Sequence, residues 1–258
     1  VVQLIAAMCS ALYRAAPDSV THSAKDLGLN RKHFVDVRSS DLYFANIIRY
    51  ASKVLNVPAV DLCKKPGSME ALQLAPSQPP ALVVGENNDA YRETNQRLAV
   101  FNVGRMMAYA RPDLFLARVY PGAELRNLLF GICLVFNRSL QHSGEPREVE
   151  RWLGRFEQLP QQALRRLQAP AQACYVALTQ GQGLQGYQAA VEITALRAGL
   201  VASGDLPAAL AGATRADEGA AAIPTQRRAQ EMVRFATSLP YLQIRKAIGG
   251  ALVAQEGG

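Results

Sequence analysis

The sequence predicts an α+β fold, a predominantly helical domain with a small β-sheet or hairpin near residues 59–84. Three observations lead there. Apolar residues recur at spacings of three and four along most of the chain, as on helices with one buried face. Short apolar runs bounded by proline and glycine, the mark of strands, fall between residues 59 and 84. The 258 residues, 49% apolar and 19% charged, supply a core without disulfides or structural metal.

Residues 2–15 carry Leu4, Ile5, Met8, Leu12 and Tyr13 at helical spacing, and Pro17 with the polar run 18–32 ends that helix. Ser39 or Ser40 is expected to accept a hydrogen bond from the first free amides of a second helix. Its stripe is Leu42, Ala45, Ile48, Ala51 and Leu55, and it stops before Pro58. Residues 59–63, 69–74 and 81–84 read as strands, separated by Lys65-Pro66-Gly67 and Pro76-Ser77-Gln78-Pro79-Pro80. Helices follow over 89–109, 122–141, 146–159, some of 161–180, 186–201, 205–214 and 225–248, the last broken at Pro240. Pro146 suits a first turn, where its missing N–H costs nothing. Val149, Trp152, Leu153, Phe156 and Leu159 then make one apolar face, with Trp152 as core. The Ala/Gly-rich residues 208–222 read as a flexible connection between packed helices. One domain over residues 1–258 is expected, with no internal repeat. The first residues, Val1-Val2, and the last, Glu256-Gly257-Gly258, suggest a piece of a larger protein.

Several function classes are excluded at this level. Cys9, Cys63, Cys133 and Cys174 form no CxxC pair, so they read as buried, reduced thiols of a cytoplasmic protein. The longest apolar stretch, residues 128–136, falls short of the about 20 residues a membrane span needs, so no membrane span is expected. The net charge of +7 comes from dispersed side chains, and its densest group, Arg31-Lys32-His33, lies near Asp36. Solvated surface charge is the expected reading, with a basic binder of anionic surfaces or nucleic acid as the alternative. His22, His33 and His142 show no HxxxH spacing; His142 is expected at a helix end, where a protonated imidazole suits the negative pole of the dipole. Neither GxSxG nor GxxxxGK[ST] occurs. No catalytic residue, metal or cofactor is expected.

One phosphate-loop pattern stands, Gly181-Gln182-Gly183-Leu184-Gln185-Gly186. Read as a nucleotide site of an enzyme, it needs residues 174–178 and Leu200-Val201-Ala202 as strands and Asp205 at the ribose. The competing reading is a glycine-rich turn between two helices. Beyond it, Tyr187, Ala190, Val191, Thr194, Ala195 and Ala198 read as a buried face, with Glu192 at its edge as a solvated charge or something more specific.

In order along the chain come Ala81-Leu82-Val83-Val84-Gly85, a long helix with Phe101-Asn102-Val103-Gly104-Arg105-Met106-Met107-Ala108, and Glu192-Ile193-Thr194-Ala195-Leu196. Over residues 40–215 this resembles zinc metallopeptidases in which a strand precedes an HExxH helix and a later ExxAD helix supplies the third ligand. With Arg197-Ala198-Gly199-Leu200 and Gly204-Asp205-Leu206, the chain also resembles the C-terminal globular domain of tetratricopeptide-repeat proteins of myxobacteria. The first resemblance implies a degenerate zincin-like fold. It puts Gly104 at the first histidine, Arg105 at the general-base glutamate, Ala108 at the second histidine and Leu196 at the acidic position of ExxAD. Only Glu192 is kept. Glycine, arginine and alanine donate nothing to zinc, so Gly104, Arg105, Ala108 and Glu192 are expected to mark a degenerate cleft. Arg105 paired with Glu192 across it is one expectation; small residues that let helices pack closely is the other. The function implied is a non-catalytic interaction or scaffolding domain of a larger bacterial protein. Its partner would be another protein or the repeat region of its own parent chain, with homo-oligomers open and nucleic acid not expected.

Overall fold

The computed structural model describes residues 1–88, 95–180, 183–215 and 221–249. Its first helix, α1 (Val2–Ala15), buries Ile5, Met8 and Leu12 of the expected stripe together with Cys9, while Leu4 is exposed and Tyr13 half-buried. The second, α2 (Tyr43–Leu55), buries Phe44, Ala45, Ile47, Ile48 and Ala51 and ends on Asn56 in the left-handed conformation. Leu42, expected on its buried stripe, is instead the exposed residue that precedes it. Ser40 does accept an amide, that of Leu42 at 3.2 Å, so it orders the approach to the helix rather than its first turn.

The expected sheet is present and is one four-stranded unit. Its strands are β1 (Phe34–Val35), β2 (Asp61–Lys65), β3 (Gln73–Ala75) and β4 (Ala81–Gly85), in the order β1-β2-β4-β3. β2 and β4 run parallel, and the two outer pairs are antiparallel. β4 lies inside the sheet and is buried along its length. Its side chains alternate, so Leu82 and Val84 enter the main core while Val83 meets Cys63, Ala75 and Leu29 on the other face. β1, only two residues long, has no sequence signal of its own.

Eight further helices, and one that the sequence did not announce, complete the described chain. They are α3 (Gln96–Ala108), α4 (Pro112–Val119), α5 (Ala123–Phe136), α6 (Pro146–Glu157), α7 (Gln161–Thr179), α8 (Gly183–Ser203), α9 (Leu206–Arg215), α10 (Thr225–Ala236) and α11 (Leu239–Ala247). α3 starts later than expected, where Asn95 accepts from the amides of Arg97 and Leu98; residues 89–94 lie outside the described chain. α4, for which no helix was expected, opens on Pro112, whose missing N–H costs nothing in a first turn. α7 is continuous through Pro170, whose lost hydrogen bond would have used the carbonyl of exposed Arg166, where water can take its place. The Ala/Gly-rich stretch is helical as far as Arg215, and residues 216–220 are not described. The last break falls at Thr237, with Pro240 inside the first turn of α11. No described helix is long and apolar enough to cross a membrane.

Two apolar clusters are built on α3 and α8, which share both. The larger joins α1, the sheet and the helices through α8; the smaller gathers Leu98, Phe101, Leu196, Leu200, Ala209, Met232 and Tyr241. The α3–α8 contact is close because its residues are small. A Cβ on Gly104 would stand 2.7 Å from that of Ala202, and one on Gly199 would stand 2.7 Å from the Phe101 carbonyl oxygen. Gly212 of α9 closes on the Phe101 ring from its other side. Trp152 is buried as expected, stacked on Phe156 at 5.5 Å and edge-on to Tyr120 at 5.3 Å.

The C-terminus of α8 is capped from three directions. Its last carbonyls lack helical amides, and Arg245 Nη1 donates to Val201 at 3.1 Å, Tyr50 Oη to Ala202 at 3.2 Å and Arg97 Nη1 to Ser203 at 3.2 Å. Gly204, at φ +63, turns the chain so that its N–H reaches the Leu200 carbonyl. Two guanidinium groups also face the negative pole of the helix dipole. Arg245→Ala is therefore expected to lower unfolding free energy by about 1 kcal/mol, measured by urea denaturation. No change in the urea midpoint would show that water replaces this donor at no cost.

Candidate functional site

The resemblance singles out α3 and α8, and these two helices bring a small polar cluster into the interior. Arg105 and Tyr109 stand four residues apart, hence on one face at the end of α3. Gln188 and Glu192 do the same on α8. Arg105 Nη2 lies 2.9 Å from Glu192 Oε1, and these side chains are 4% and 0% exposed. The Tyr109 hydroxyl donates to the other carboxylate oxygen, Oε2, at 2.5 Å. The guanidinium carbons of Arg105 and of Arg118, from α4, lie 5.9 and 5.6 Å from the centre of the Tyr109 ring. Burial pushes the Tyr109 phenol well above its ordinary range, more than Arg105 pulls it down, so at neutral pH it is a hydroxyl donor.

The expected meeting of Arg105 with Glu192 is therefore present. The reading of Glu192 as a solvated charge is corrected, since nothing of it reaches water. Of the expected buried face, Tyr187, Val191 and Ala195 are buried and Ala190 and Ala198 half-buried, but Thr194 is exposed, and the buried side widens to take in Gln188, Glu192, Leu196 and Gly199. Apolar periodicity missed this because a carboxylate and an amide sit on the inward side, and because α8 is enclosed by helices from several directions.

The other two residues of the predicted cleft behave differently. Gly104 faces Ala202 and Gly199, with no room for a side chain of any kind. Ala108 is buried in the main core. All four predicted residues are thus buried. Open depressions lie elsewhere, along residues 23–31 and beside Pro146 and Arg151. Among the described residues, no three His, Cys, Asp or Glu side chains are grouped to hold a metal ion.

The nucleotide loop loses its strands. Residues 174–178 lie inside α7 and Leu200-Val201-Ala202 inside α8, so two consecutive helices replace the strand–loop–helix crossover. Gly181 and Gln182 lie outside the described residues. Gly183 has a packing role: an added Cβ would meet the Ala177 carbonyl oxygen at 2.4 Å. Asp205, assigned to a ribose, instead accepts from the Ala208 amide at 2.7 Å and caps α9.

His142 is also displaced from its expected place. α5 stops at Phe136, and the imidazole packs on the Phe130 ring with centroids 5.7 Å apart. The four cysteines are buried and unpaired by disulfides. Burial drives the Cys9 thiol up to about 12, which leaves it protonated and unreactive.

Sequence reasoning did not find Tyr109, Arg118 or Gln188. The pairs 105/109 and 188/192 carried a signal, polar residues four apart on helices that are otherwise apolar there. Chemically, the arrangement neutralises a carboxylate with a cation and a phenol donor. Compared with known protein families, with curated proteins and with solved structures, the chain finds no match.

Proposed function

We propose that this domain is a non-catalytic interaction or scaffolding module of a larger bacterial protein, on a metallopeptidase-like frame whose reaction centre has become a packed ion pair. The observation that carries this reading is the contact of Arg105 and Tyr109 with Glu192. A metallopeptidase requires imidazole donors around zinc and a carboxylate base beside them. At the corresponding positions this chain has a glycine with no side-chain space, a cation that repels metal, and an alanine. The retained carboxylate has both oxygens engaged by donors. Such a cluster serves the fold, and the surface is left for recognition of another protein or of the repeat region of the parent chain.

The test joins two measurements on the purified domain. Elemental analysis is expected to find no stoichiometric transition metal after exposure to zinc. Analytical ultracentrifugation with the separately expressed repeat region is expected to show a complex. One zinc per chain, released by chelation with loss of a peptidase activity, would reverse the reading.

A further inference from the structure

We propose that the α10–α11 pair is a peripheral docking surface for an anionic lipid bilayer. This goes beyond the protein-interaction reading and does not depend on it. The sequence disperses its basic residues evenly to the eye, but residues 225–247 hold five of them, Arg227, Arg228, Arg234, Arg245 and Lys246, against the single acid Glu231. Within the fold Arg228 is buried, Arg245 is engaged by the Val201 carbonyl, and Arg234 lies 3.3 Å from Glu231. Arg227, Arg234 and Lys246 are exposed.

The same two helices also expose apolar side chains. Leu239 is 66% and Leu242 55% exposed, and Val233 and Ile244 are exposed as well. The orientation of α11 is fixed from within. Tyr241 packs edge-on to Phe235 with centroids 5.3 Å apart, and Arg245 donates to the Val201 carbonyl. Leu239, Leu242 and Lys246, spaced by three and four, therefore share the opposite, outward side.

Leucines interleaved with cations select among anionic partners. A nucleic acid would engage the cations and stack on exposed rings, but Phe235 and Tyr241 are turned toward each other. A second copy meeting patch to patch would bring like charges together. An anionic bilayer takes both features, headgroups against arginine and lysine and the acyl boundary against leucine.

The experiment is co-sedimentation of the whole chain with vesicles of phosphatidylcholine alone and of phosphatidylcholine mixed with phosphatidylserine. Binding is expected only to the mixed vesicles and is expected to fall as salt rises. Each cation at such a surface contributes about fivefold in partitioning, so Arg234→Gln with Lys246→Gln should weaken binding roughly twenty-five-fold. Leu239→Ser with Leu242→Ser should also release the protein. Circular dichroism should match the parent in both variants, because all four side chains are exposed. Equal binding to both lipids, or none, would overturn the proposal. So would tight binding to a DNA duplex that the serine variant leaves unchanged, which would make the patch a phosphate contact.

Discussion

Glu192→Ala is expected to lower the unfolding free energy by about 3–5 kcal/mol, the largest effect expected of a single substitution in this chain. The loss comes from what remains behind. Arg105 would keep its charge in the interior with its carboxylate partner gone, and the Tyr109 hydroxyl would lose its acceptor. Urea denaturation followed by circular dichroism measures this. Replacing the whole cluster, Arg105→Met with Tyr109→Phe and Glu192→Leu, should restore stability to within about 2 kcal/mol of the parent, since apolar groups of similar volume often substitute for a buried pair. If the single substitution costs less than about 1 kcal/mol, water reaches the cluster and the packed ion pair is not what holds α3 to α8.

Gly104→His is expected to cost about 3 kcal/mol or more and to bring no zinc affinity. On the metallopeptidase resemblance it restores a ligand. By geometry it cannot, because the first side-chain atom already falls 2.7 Å from the Ala202 Cβ and the ring would have to force α3 and α8 away from each other. The gain in helix propensity over glycine, less than about 1 kcal/mol, does not offset that overlap. Thermal denaturation with and without zinc decides the matter: a melting temperature raised by zinc would mean that the position opens onto a usable site.

Much of the fold was legible because its helices have a single buried side. α1 and α6 bury most of the residues that spacing assigns, Leu4, Tyr13 and Leu159 excepted, and the strands between residues 59 and 85 lie where proline and glycine delimit them. What was not legible had a physical cause in each case. Pro112 and Pro170 carry the same local signal whether they end, open or interrupt a helix: Pro112 opens α4, where no hydrogen bond is lost, and Pro170 lies within α7, where the carbonyl it leaves free belongs to an exposed residue. Glu192 was misplaced because periodicity counts apolar residues, and a buried carboxylate subtracts from the very face it occupies. Asp205 and Gly183 fitted a ligand-binding pattern as well as they fit a helix cap and a close helix approach, since both uses draw on short polar side chains and absent Cβ atoms. The charge surplus of α10 and α11 escaped notice because five cations spread over two helices form no run in the sequence.

The pairing of Arg105 with Glu192 also sets an order of events during synthesis. The two residues are 87 positions apart, and α3 leaves the ribosome long before the helix that completes it. At about 5–20 residues per second, α3 waits on the order of ten seconds for its partner. Through that interval Arg105 stays hydrated and the small-residue seam at Gly104 has nothing to close upon. A lone arginine is costly to bury, so α3 is expected to keep this face toward water until α8 supplies Glu192.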